Sequence, residues 1–142
     1  MPDATLRPVI IFHDITHARA IAALRAETGV EVDAASAPGA PLYLGPELLK
    51  AIADTAGLSN IVADCGDDSA TVQLALRAGL KHLLLKGSHP AFRQLQSLAE
   101  AHGARLQSAQ EFYTPGRAVL DLLRVPDPLS KCRNFVNGFR PE

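Results

Sequence analysis

The sequence predicts a single three-layer α/β domain with a mostly parallel, five-stranded sheet, followed by a C-terminal helix and arm. Three observations lead to that class. Short apolar runs of about four residues alternate with longer segments of helical spacing. Each of the four helical segments is followed by a glycine: Gly29, Gly57, Gly79 and Gly103. Those glycines recur at the spacing of one strand–helix unit, which implies a repeated βα fold with right-handed crossovers.

The strands come first. Pro8 to Phe12, Val30 to Ala35, Asn60 to Ala63, His82 to Leu85 and Ala104 to Leu106 are short apolar runs. Runs that are apolar on both faces suit parallel strands covered on each side. The helices fall between them. In His17 to Thr28 the stripe is Ala18, Ile21, Ala22 and Leu24; in Pro46 to Ala56 it is Leu48, Leu49, Ile52 and Ala53. Ser69 to Ala78 carries Val72, Leu74, Ala75 and Leu76, and Pro90 to His102 carries Phe92, Leu95, Leu98 and Ala99. Spacings of three and four residues put such sets on one helical face. Thr16, Asp68 and Ser88 are suited to N-caps, and Pro46 and Pro90 to a first helical position. A glycine after a helix can take the left-handed conformation that ends it.

The order β-α-β-α-β-α-β-α-β fits an open doubly wound sheet or half of a (β/α)8 barrel, and periodicity does not separate the two. The repeat occupies residues 1–110. Residues 111–142 change character: a turn at Phe112 to Gly116, a helix over Arg117 to Arg124 with Ala118, Val119, Leu122 and Leu123 on one face, then an irregular arm after Pro126 and Pro128. Phe135, Val136 and Phe139 give the arm apolar groups, so it is expected to dock on its own chain or on a second subunit.

Composition narrows the function classes. The chain has 142 residues, 47% hydrophobic and 20% charged, with 14 basic and 15 acidic side chains and a formal charge of −1. At this size about 68% of the unfolded chain's surface becomes buried, enough for a core without staples. The charge balance disfavours a nucleic-acid protein that works through a broad basic surface. Aromatic residues are 5% and Trp is absent, so base-stacking platforms are not expected. No apolar stretch approaches the ~20 residues needed to span a bilayer. Met1 to Thr5 is polar and Val9 to Phe12 too short for a signal peptide. Two cysteines, Cys65 and Cys132, do not make a disulfide scaffold. A cytoplasmic setting is the expectation.

In either architecture ligands bind beyond the C-terminal ends of the strands. His13 and Asp14 fall there after the first strand, and Ser36-Ala37-Pro38-Gly39 after the second. Asp64-Cys65-Gly66-Asp67 follows the third and Lys86-Gly87-Ser88-His89 the fourth. Asp14, Asp64 and Lys86 are the candidate catalytic group. Carboxylates can move protons, and a desolvated lysine can serve as base or Schiff-base former. Ser36, Gly39, Gly66, Asp67, Gly87, Ser88 and His89 are candidate ligand contacts, with glycine N–H groups directed at an anion. The competing reading is ion pairing, turn chemistry and capping, above all for Asp67 and Asp68, which precede a helix. No P-loop and no Rossmann glycine fingerprint is present, so no cofactor is expected. His13 and His17 are spaced as in a loosened H-E-x-x-H. Because His13 ends a strand and His17 begins a helix, no metal site is assigned. Cys65 beside Asp64 reads as a small buried residue, since a neighbouring carboxylate opposes the thiolate.

Pro8-Val9-Ile10, His17-Ala18, Ile21-Ala22-Ala23-Leu24 and Ala75-Leu76-Arg77-Ala78-Gly79, with the strand through Leu85 and the turn to Pro90, carry a resemblance. Over residues 8–107 the chain resembles the N-terminal units of 2-keto-3-deoxy-6-phosphogluconate aldolases. Those are (β/α)8 barrels that cleave a phosphorylated keto acid through a lysine Schiff base. The resemblance implies a half-barrel-like or open α/β fold. It does not imply the activity. The family's glutamate falls near Ala34 here, its lysine belongs to a sixth strand while Lys86 follows the fourth, and the chain is too short for a full barrel. The chain is also similar in outline to response-regulator receivers, with Asp14 and Asp64 at two of their acidic positions. Lys86 follows strand four where those proteins have it on strand five.

Two functions follow as expectations. The first is a non-catalytic binding or assembly protein, self-associating through the C-terminal arm. The second is a small enzyme or sensor for a phosphorylated or carboxylated metabolite, which would use Asp14, Asp64 and Lys86.

Overall fold

The computed structural model describes residues 6–139. The polar start, Met1 to Thr5, and the last three residues of the arm lie outside them. The elements run β1 (Val9–Phe12), α1 (Ile15–Thr28), β2 (Asp33–Ser36), α2 (Ala40–Tyr43), α3 (Pro46–Ala56), β3 (Val62–Asp64) and α4 (Ser69–Arg77). Then come β4 (His82–Leu85), α5 (Phe92–Ala101), β5 (Arg105–Ser108), α6 (Ala109–Phe112), β6 (Val119–Asp121) and α7 (Pro128–Val136), closed by a 3₁₀ turn at Asn137–Phe139.

All six strands are parallel, in the order β5-β4-β3-β2-β1-β6. The first five follow one another across the sheet, the order of a partial barrel rather than of a doubly wound sheet. Alternation along each strand then sorts the core. Ile10, Phe12, Ala34, Ala63, Leu83, Leu85 and Leu106 pack beneath α1, α3, α4, α5 and α7. Val9, Ile11, Ala35, Val62 and Leu84 face the other way, against Ala40 of α2 and Phe112 of α6. The second face is thus covered by two one-turn helices and the crossover segment between β5 and β6. That placement follows from handedness. The step from β5 back past β1 runs opposite to the earlier steps, so a right-handed connection must cross the opposite face.

The helix ends obey their local signals. Gly29, Gly57, Gly79 and Gly103 all take positive φ. Asp68 caps α4, its Oδ1 accepting from the Ala70 N–H at 3.0 Å. The caps expected at Thr16 and Ser88 are not used. Asp14 caps α1, and α5 begins at Phe92, leaving Pro90 in the preceding turn.

The C-terminal part departs from expectation. Residues expected to form a helix at 117–124 supply β6, the sixth strand, because Val119 to Asp121 pairs with Val9 to Ile11. A spacing of one and four residues suits an edge strand as well as a helix, and the open flank of β1 decides. The boundary placed near residue 110 therefore falls inside one sheet. The expected irregular arm contains α7, with Asp127 as N-cap and Pro128 in its first turn. A proline read as a breaker is here a helix start. Cys132 and Val136 are buried, and Arg133 reaches Glu27 of α1 through two hydrogen bonds of 2.8 and 2.6 Å. The apolar side of the arm packs on its own chain.

Candidate functional site

The C-terminal ends of β1 and β6 bring together His13, His17, Asp14 and Asp121. His13 Nε2 lies 2.6 Å from Asp121 Oδ1, although 108 positions separate them in sequence. Asp121 Oδ1 also accepts from the Leu123 N–H at 2.9 Å, which fixes the carboxylate. A carboxylate can only accept, so His13 carries a proton on Nε2 and, when neutral, leaves Nδ1 as a base. His17 is 8% exposed, and its Nδ1 accepts the His13 backbone N–H at 3.0 Å. Burial lowers its pKa, against the raising field of Asp14. The two imidazole rings meet edge to face at 5.7 Å. Tyr113, from the crossover segment, lies in the fields of Asp64 and Asp121, and burial raises its pKa. Its hydroxyl and that of Thr114 are buried without a hydrogen-bond partner.

The group proposed from sequence is not assembled. Asp14 Oδ1 accepts the His17 N–H at 2.9 Å and caps α1. Asp64 is buried, and its Oδ1 closes a turn by accepting the Gly66 N–H at 3.0 Å. Burial raises the Asp64 pKa, with that hydrogen bond opposing. Lys86 is exposed and forms no ion pair with either. For Asp14 the reason is geometric, since β4 is separated from β1 by β3 and β2; Asp64, on the neighbouring β3, is buried and turned to the Gly66 N–H.

The expected anion donors are already occupied. The Gly39 N–H donates to the Asp64 carbonyl at 2.9 Å, the Gly66 N–H to Asp64 Oδ1, and the Gly87 N–H to Gln110 Oε1 at 3.2 Å. Gly87 has a packing reason to be glycine, since a Cβ there would stand 3.1 Å from Ser108 Cβ. Ser36 is fully buried and braces β3 by accepting the Asp64 N–H. His89 Nδ1 accepts the Ala91 N–H within its own turn. Ser88 and Asp67 are exposed. Cys65 is buried, and its thiol is pushed up to about 12, chiefly by burial and then by Asp64. Among the described residues no group of three or more His, Cys, Asp or Glu side chains is placed to hold a metal.

A hollow lies at the opposite edge, before β2, β3 and β4. It encloses about 680 Å³ between the ends of α1, α3 and α4. Arg7, Arg25, Lys50 and Lys81 line it together with Glu31, Asp33 and Asp54. These charges hold one another and the backbone. Arg7 pairs with Glu31 and Asp33, and Lys50 with Asp54. Arg25 donates to the Ser59 and Val32 carbonyls at 2.9 and 2.7 Å, and Lys81 to the His102 carbonyl at 3.0 Å.

Asp121 was the residue missed. It sits at a strand's C-terminal end, as Asp64 does, and reading Val119-Leu120 as a strand would have exposed it. Tyr113 has no comparable signal, because the fold of the crossover segment alone brings it there. No family model and no curated protein matches this chain.

Proposed function

We propose that the protein is a binding or assembly domain that works without catalysing a reaction. The observation that carries this reading is the commitment of the polar groups at the C-terminal edge to local structure. Asp14 caps a helix, Asp64 closes a turn, and the glycine N–H groups expected to receive an anion donate within the chain. The charge of that edge points the same way. Asp14, Asp64, Asp67, Asp68 and Asp121 outnumber Lys86, which opposes a phosphorylated or carboxylated ligand. Binding is favoured over assembly through the arm, because a second copy would meet the polar outer side of α7. A cytoplasmic setting belongs to the same proposal, and two buried free thiols are compatible with it. No helix among the described residues is long and apolar enough to cross a membrane.

The test is thermal unfolding against phosphosugars, keto acids, nucleotides, phosphate and divalent metals. A ligand at about 100 times its dissociation constant stabilises by about 2.7 kcal/mol, a shift of several degrees. The expected result is a flat panel, identical for wild type, Lys86→Met and His13→Ala. A selective shift abolished by either substitution would overturn the reading. Sedimentation of the full chain and of a chain ending at residue 124 tests assembly through the arm.

One observation favours the second reading, a small enzyme or sensor. The His13–Asp121 pair has the arrangement of a general base, with the carboxylate fixing the imidazole tautomer and the other ring nitrogen left free. Its signature would be a metabolite shift lost in Asp121→Asn.

A further inference from the structure

The segment between β2 and α3 turns large apolar side chains toward solvent. Its one-turn helix α2 is bracketed by Gly39 at φ +75° and Gly45 at φ +90°, conformations that a side chain would strain. The bracketed turn is anchored rather than loose. Ala40 and Pro41 are buried beneath it, and the Gly39 N–H is tied to the Asp64 carbonyl. Above that anchor Leu42 is 61% exposed and Tyr43 64%, and Leu48 in the first turn of α3 is 50% exposed. No other stretch of seven described residues shows three large apolar side chains.

Acidic groups stand on two sides of this patch. Glu47 is exposed beside Leu48 on α3. α2 also packs against β3 and α4, which brings the turn carrying Asp67 and Asp68 alongside. Among the described residues neither Glu47 nor Asp67 has an ion-pair partner. Lys50, the cation nearest in sequence, is held by Asp54.

We propose that Leu42, Tyr43 and Leu48, framed by Glu47, Asp67 and Asp68, dock a basic amphipathic segment of a partner protein. The proposal rests on the reading of the chain as a binding domain and names its partner class. Exposed apolar clusters with a polar rim mark interaction sites, and a rim of one charge selects a partner of the other. A second copy is the poorer occupant, because a two-fold interface would set the same acids against each other. An anionic membrane surface is repelled for the same reason.

The experiment is fluorescence anisotropy with the full chain and a short labelled helical peptide of Leu and Lys. A Leu and Glu peptide of the same pattern is the comparison. The Leu/Lys peptide is expected to bind, more weakly as salt rises, and the Leu/Glu peptide not to bind. Leu42→Ser with Tyr43→Ser should weaken binding at least about tenfold. Glu47→Lys with Asp67→Lys should do the same by charge alone, without touching an apolar group. Leu98→Ser, an exposed leucine on α5, should change nothing. Undiminished binding by the serine variant, preference for the Leu/Glu peptide, or wild-type dimerisation abolished by the serine substitutions would overturn the docking surface. Undiminished binding by the serine variant leaves the broader binding reading standing. A His13-dependent metabolite shift removes the broader reading without affecting the peptide result.

Discussion

The two edges of the sheet use charge differently. At the C-terminal edge the helices begin, and aspartates meet their N-termini: Asp14 at α1 and Asp68 at α4. At the N-terminal edge the helices end, with Arg25 in the last turn of α1 and Lys81 donating to the His102 carbonyl at the end of α5. Both placements follow the helix dipole, positive at the start and negative at the end. A row of acids at the edge where α/β proteins bind ligands is therefore also what dipole and capping require of a protein without chemistry there. The hollow with its clasped cations lies at the opposite edge. The charge pairs there hold loops together.

The contrast can be broken most strongly at Arg117. Its guanidinium is nearly buried, bonds Asp33 and the Arg7 and Phe112 carbonyls, and lies 4.3 Å over the Phe112 ring. Arg117→Met should cost about 3 kcal/mol in urea unfolding, because a buried pair loses one partner. Arg117→Lys should recover little, since a lysine lacks the planar fork. A cost below that of an ordinary surface change would remove the clasp from the account of the N-terminal edge. Arg25→Met should follow at about 2 kcal/mol, leaving the Ser59 and Val32 carbonyls without their donor.

Effects at the C-terminal edge should be smaller. Asp14→Ala should cost about 1 kcal/mol, the loss of an N-cap; ligand binding rather than stability would respond if Asp14 had another role. Asp64→Asn should raise the melting temperature at neutral pH. Burial raises the folded-state pKa of this carboxyl, so its ionised form weighs against folding above that pKa. The gain should vanish in acid, where wild-type Asp64 is protonated, and destabilisation at pH 7 would contradict it. His17 works in the other direction. Its lowered folded pKa contributes stability above about pH 6.5, the ordinary histidine value, lost as pH falls toward the folded pKa. Replacing His17 by Gln should flatten the pH dependence of unfolding in that window.

Much of the fold was legible because its signals are local. Pro46–Ala56 and His82–Leu85 coincide with their apolar patterns, and four glycines mark four helix ends. α2 went unread because Ala40 to Tyr43 is one turn long, below any useful helical period. β6 went unread because three residues at a sheet edge acquire their conformation from β1 rather than from their own pattern. The candidate site was half legible. His13, Asp14 and His17 fall beside the end of β1 by simple counting, whereas Asp121 becomes their neighbour only once β6 is placed.

The sequence by itself determined the βα repeat, the parallel sheet, the helix ends and the edge on which the polar groups after the first four strands stand. Those follow from periodicity, capping and conformational freedom within a few residues. Only the tertiary structure decided that β6 lies beside β1, that α7 packs on α1, that His13 meets Asp121, and that two strands stand between Lys86 and Asp14. Each of these joins groups far apart in the chain, and their contact energy exists only after strand order has brought them together.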